Sequence, residues 1–267
     1  MPSLAAISTH YPDAPLLGWP RVCCSNGRIR PIWVYGGIPV KRYLLIAILL
    51  SSIAALASHQ RATAAEKNPQ ELRAEAVRLA WQEWHRWNPD QAKQLHETDE
   101  AVAAQLQDYW LTGVGRKVTP AELRDKEHQD QWPWSAAFIS WVMKQAGAGE
   151  HFHYHDTHSN YVKAAKDNRL SGKQRLFKAY RVTELQPQLG DLVCRSRAGS
   201  GATYDNITPG MKTHSDIVVE VHPDHILTIG GNLSDSVGQT KVKLNNSGHI
   251  AEPAYYAIIR IGYEENE

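Results

Sequence analysis

The sequence predicts an α+β domain, and three features carry that reading. Helix-period apolar spacing with capping residues runs from Asn68 to about Asn168, two-residue alternation takes over from Ala179 to Ile261, and a Gly-, Ser-, Thr- and Asn-rich stretch from Arg197 to Thr213 reads as one long surface loop. Helices first and strands second place the helices against an antiparallel sheet.

Each element has its own local cause. Asn68 caps the first helix, Pro69 takes its first position and Glu71 its third, with Leu72, Ala76, Ala80, Trp84 and Trp87 along one face and Asn88-Pro89 as the stop. A second helix starts after Thr98 and turns Val102, Leu106, Tyr109 and Trp110 inward. A short third follows Thr119-Pro120, with Glu122 in the capping-box place. Pro133 cannot lie inside a helix, while Phe138, Val142 and Ala146 repeat every four residues, so a buried helix runs from about Ser135 to Gly147. Another helical stretch covers about 159–168. Strands are expected at 179–182, 191–196, 216–222, 226–229, 242–244 and 255–261, with Pro223-Asp224 as a hairpin turn.

Composition excludes little except nucleic acid. The 267 residues are 42% apolar and 21% charged, an ordinary globular balance. The net charge of +1 arises because the first 64 residues hold six of the 29 bases and one of the 28 acids, so the remainder is net −4 and offers no footprint for a polyanion. No motif calls for a cofactor. His153, His155 and His158 match none of the familiar zinc spacings, so surface or capping histidines are the expectation there and no metal is assigned.

Lys41-Arg42 precedes an apolar run from Tyr43 to Ala57, shorter than the roughly 20 residues of a spanning helix, with small-residue cleavage patterns at Ala55-Leu56-Ala57 and Ala62-Thr63-Ala64. Residues 40–64 therefore read as a signal peptide, leaving no stable membrane span after cleavage and sending a single domain, 65–267, to the periplasm or the outside. Residues 1–39, with Cys23-Cys24 and no periodicity, read as unstructured or as a mis-assigned start, with Val40 as a candidate true start. Cys194 is then the one cysteine of the mature chain, which rules out an internal disulfide there.

Ser135, at a helix start, is read either as a cap or as a nucleophile beside unpaired backbone amides. Four segments bear on that choice: Trp134-Ser135-Ala136-Ala137-Phe138 opening a helix, Gly190-Asp191-Leu192-Val193 before the long loop, Thr213-His214-Ser215-Asp216-Ile217 opening a strand, and Ile229-Gly230-Gly231-Asn232 closing the next. In this order they resemble the cysteine- and histidine-dependent (CHAP-like) amidohydrolases and peptidases, part of the wider NlpC-type cell-wall peptidases. The resemblance covers roughly residues 131–261. The same chain also resembles a secreted bacterial family of unknown function that shares the Ser-containing motif.

The resemblance implies a papain-like fold, His214 as general base, Asn232 as the group that orients it, and peptidoglycan or muropeptides as the partner. Ser135 stands where those enzymes carry the nucleophilic Cys. A hydroxyl needs stronger help than a thiol, and a triad with Asn in place of Asp loses about four orders of magnitude in turnover. Asp216, on the face of the strand that His214 occupies, or Asp235 in the loop beyond Asn232, would supply the missing carboxylate. Trp132 or Trp134 and Arg195 are the expected substrate contacts. Cys194, next to Arg195, is an alternative nucleophile and more simply a small core residue.

Three functions remain: hydrolysis of cell-wall peptide amides through a Ser-His site, a non-catalytic cell-wall-binding module on the same fold, and hydrolysis of small esters. The last ranks lowest because no Gly-x-Ser-x-Gly elbow surrounds Ser135.

Overall fold

The computed structural model describes residues 68–263, except 91, 92, 126, 128, 130 and 131. The expected signal peptide, the alternative start and Cys23-Cys24 lie outside the described residues. Among the described residues the elements are, in order, α1 (Pro69–Trp87), α2 (Glu100–Val114), α3 (Pro120–Arg124), α4 (Ser135–Ala146) and α5 (His158–Leu170), then β1 (Phe177–Arg181), β2 (Leu192–Ser196), β3 (Thr213–Val221), β4 (His225–Gly230), β5 (Gly238–Lys243) and β6 (Tyr255–Ile261). A 3-10 turn at Gly149–His151 links α4 to α5. The strands form one sheet in the order β1-β6-β2-β3-β4-β5, antiparallel at every step.

The helix starts follow local chemistry. Asn68 and Glu71 close a reciprocal capping box on α1, at 2.9 and 3.2 Å, and Thr119 with Glu122 does the same on α3. Asp99, one residue later than expected, is the N-cap position of α2. On α1 the inner position expected for Trp84 belongs to Glu83, which is fully buried because the Tyr109 hydroxyl donates to it at 2.6 Å. Trp87 in turn donates its indole N–H to the same Tyr109 oxygen at 3.0 Å.

Helix α4 is the axis of the domain. Ten of its twelve residues are buried, and Gly147 ends it in the left-handed conformation that glycine accepts without a Cβ clash. Gly113 of α2 lets the two helices touch, since a Cβ there would lie 2.6 Å from the Ala137 carbonyl oxygen. One sheet face carries Leu192, Cys194, Ile217, Ile229 and Ile259 into the helical core. The other gathers Val193, Val218, Ile226, Val242 and Ile258 in a second, smaller core. Burial on both faces puts apolar residues at successive positions, as in Leu192-Val193-Cys194 and Ile217-Val218, in place of the strict two-residue alternation expected from the sequence. Among the described residues no helix is long and apolar enough to cross a membrane.

Candidate functional site

Trp134 and Ser135 have different jobs. The Trp134 indole is 2% exposed, donates its N–H to Glu97 Oε2 at 2.6 Å, and stacks on Trp87 and Tyr109 with ring centroids 5.0 and 5.7 Å away. The expectation that it contacts substrate is therefore corrected: Trp134 is a core anchor that fixes the entry into α4. Trp132, two residues earlier, lines the cleft together with Trp110, and the Arg116 guanidinium lies 3.2 Å from the Trp132 ring centroid.

Ser135 is the first helical residue of α4, with Trp134 in the cap position offering no side-chain bond to the first turn. The hydroxyl is not a cap. It lies 2.6 Å from Nε2 of His158, the residue that opens α5. One turn further on, the Tyr161 hydroxyl meets Nδ1 of the same ring, a contact that i, i+3 spacing on a helix provides. Burial, then the neighbouring His214, Arg197 and Arg195, push the His158 pKa well below the ordinary histidine value, so the ring is neutral near pH 7. A neutral imidazole satisfies both neighbours with Nδ1–H donated to Tyr161 and Nε2 accepting the Ser135 proton, the tautomer that general-base chemistry requires. Burial keeps Tyr161 itself protonated, its pKa raised well above 10.0.

The structure does not place His214 as the base of Ser135. Its Nδ1 faces the Arg197 guanidinium at 3.2 Å and its Nε2 faces Asp216 Oδ1 at 2.8 Å. Arginine only donates, so Nδ1 must accept and Nε2 must carry the proton given to Asp216. Both nitrogens are committed, and the ring lies behind His158, centroids 5.0 Å apart. Asp216, on the face shared with His214, is the residue that orients it. Asn232 is not: it sits with φ 56° in the wall of a neighbouring cleft, beside Arg195. Asp235, with φ 62°, is engaged through its carbonyl oxygen, which accepts from the Glu97 amide.

The two glycines before Asn232 have separate duties. A Cβ on Gly230 would fall 1.7 Å from Asp216 Oδ1 and 3.3 Å from His214 Nε2, so the missing side chain is the space the carboxylate fills. A Cβ on Gly231 would fall 2.6 Å from Phe138 Cβ and 2.8 Å from the Trp134 ring. Together they let the end of β4 close over the first turn of α4.

Ser135, His158, Trp110, Trp132, Arg197 and Lys212 line a half-open cleft of about 440 Å³. It offers an aromatic wall, two cations, the Asp156 carboxylate and one hydroxyl paired with an imidazole. Cys194 is outside it, fully buried beneath Ser215, with burial pushing its pKa up to about 12. Its thiol should react with a maleimide only as fast as the protein unfolds, a test read by mass spectrometry with and without urea. His153, His155 and His158 do not converge: His153 stacks on His155, His155 bonds Thr157 and Asn160, and His158 bonds Ser135. Among the described residues no group of three His, Cys, Asp or Glu side chains is placed to hold a metal.

Over residues 101–262 the chain matches a family described as uncharacterised proteins conserved in bacteria, DUF2272. No curated protein and no solved structure matches it.

Proposed function

The chain belongs to DUF2272, and from the geometry of its site we propose that it is a serine-dependent acyl hydrolase. The observation that carries this reading is the 2.6 Å contact between Ser135 Oγ and His158 Nε2 at an uncapped helix start facing a cleft. Ser135 Oγ attacks the carbonyl carbon as its proton passes to His158 Nε2, and the resulting oxyanion meets the backbone amides and positive dipole end of α4. The C–X bond of the tetrahedral intermediate then breaks, His158 returns the proton to the leaving group, and water releases the acyl group from Ser135 by the same route in reverse.

The surroundings set the pace. The imidazolium that forms on His158 has Tyr161, a neutral hydroxyl, behind it and two arginines nearby, where a serine protease has a carboxylate. Loss of that carboxylate costs a protease about four orders of magnitude. Amide cleavage, which needs the amine protonated on departure, suffers most, so activated esters are the first substrates to assay. An exported amidase acting on peptidoglycan stem peptides is the finer form of the proposal. It draws on the apolar run behind Lys41-Arg42 and on the CHAP-like order of motifs. The neutral third residue also favours a second reading, a cleft that binds such fragments without cutting them.

A serine-directed fluorophosphonate separates the two. An adduct on Ser135, found by peptide mass spectrometry and lost in Ser135→Ala and His158→Ala, is the expected result. A folded protein that takes no label is a binding module.

A further inference from the structure

We propose that the cleft on the far side of Arg197 is a subsite for an anionic group, carboxylate or phosphate, carried by the substrate of Ser135. Only the attachment of that anion to an acyl substrate rests on the hydrolase reading; the anion site stands on its own geometry.

This second cleft, of about 660 Å³, has Arg195, Arg197 and Lys212 in its wall with the uncharged Asn232, Ser234 and Thr240, and no carboxylate among its lining residues. Several arginines elsewhere are matched by a carboxylate, among them Arg169 by Glu184, Arg181 by Asp205 and Arg260 by Asp191. Among the described residues Arg195, Arg197 and Lys212 form no ion pair. Three like charges around one hollow repel each other, and burial with the nearby Arg195 disfavours the charge on Arg197 by more than the Asp216 carboxylate behind it favours it. The Nε of Arg195 is buried and has no acceptor. A buried donor left unpaired is costly, and a guanidinium presents its N–H groups in the planar fork that an oxyanion accepts. An anion in this cleft therefore supplies the countercharge that the three cations in its wall lack.

The position ties the subsite to the serine. Arg197 and Lys212 line this cleft and the Ser135 cleft alike, so the two hollows share a wall. An acyl group seated at Ser135 with a charged substituent a few bonds away would lay that charge across the shared wall. The same placement disfavours a cationic substituent.

Calorimetric titration of the full chain at low salt, with glutarate in one series and inorganic phosphate in another, tests the site without requiring turnover. At least one anion should bind wild-type protein and Lys173→Gln, an exposed charge-matched control away from both clefts. Binding should weaken roughly 10- to 100-fold in Arg195→Gln/Lys212→Gln, as expected for lost charge-assisted hydrogen bonds. The single Lys212→Gln, at an exposed residue, should also weaken binding and guards against a folding defect in the double variant. The anion that binds identifies the charged group as carboxylate or phosphate. Binding of neither, or equal binding in the double variant, overturns the proposal. Anion binding with this dependence but no fluorophosphonate adduct would remove the hydrolase and keep the subsite, and an adduct without anion binding would do the reverse.

Discussion

Replacing His158 by Gln should slow acylation of Ser135 by an activated ester about 1,000-fold, the middle of the range for removing a general base. The same change at His214 should cost far less, because both nitrogens of that ring serve Arg197 and Asp216 and neither reaches the serine. Burst kinetics on the two variants decide between the histidines; a larger loss at His214 would overturn the assignment of His158 as base. The pH profile carries the same information. Acylation needs neutral His158, whose folded pKa lies well below 6.5, so the rate should hold level as the pH falls through 6.5, where an ordinary histidine would halve it. Stability runs with the opposite consequence. Below about 6.5 the unfolded chain protonates this histidine while the folded chain does not, so the stability present above 6.5 is lost as the pH falls toward the folded value. The drop in thermal midpoint between pH 7 and pH 5 should therefore be smaller in His158→Gln.

Gly230→Ala should be the most damaging single methyl in the domain. Its backbone φ is outside the left-handed region, so the new Cβ costs nothing in strain; the damage is its position 1.7 Å from Asp216 Oδ1. The carboxylate must leave a fully buried site and abandon His214. Breaking a buried pair in this way costs about 3 kcal/mol or more. In an Asp216→Ala background the same methyl meets only the His214 ring, 3.3 Å from Nε2, and should cost about 1 kcal/mol, as ordinary overpacking does. Urea midpoints of the four proteins close this cycle. Equal costs in both backgrounds would mean that the Asp216 carboxylate does not hold the space above Gly230.

What the sequence discloses about this site depends on distance along the chain. The caps at Asn68 and Thr119, the stop at Gly147 and the pairing of His214 with Asp216 follow from neighbours within a few residues, and all are present in the fold. The partner of Ser135 is not of that kind. His158 reaches it because two helix starts, 23 positions apart, abut across a loop, and no periodicity encodes that meeting. The available signal was a histidine at the head of a predicted helix, immediately after Asp156-Thr157, which its cluster with His153 and His155 obscured. Trp134 misled for a related reason. Next to a candidate nucleophile it resembles a groove residue, and its burial follows only once α1, α2 and α4 are known to share Trp87, Tyr109 and Trp134. Gly230 and Gly231 look like a turn until the carboxylate and the helix they make room for are in place.

The pins of the site lie upstream of the span that defines the family. Trp87 stacks on Trp134, Glu97 takes its indole N–H and holds the Asp235 carbonyl, and Asn88 holds the Val237 carbonyl, yet the family match begins at residue 101. The stretch that matches the family and the unit that folds thus have different borders. A fragment trimmed to 101–262 would lay bare the faces of Trp134 and Tyr109 that α1 covers, and would release the loop that carries Asn232. Such a fragment should aggregate or bind ANS, whereas one beginning at Asn68 keeps its own cap and its own wall.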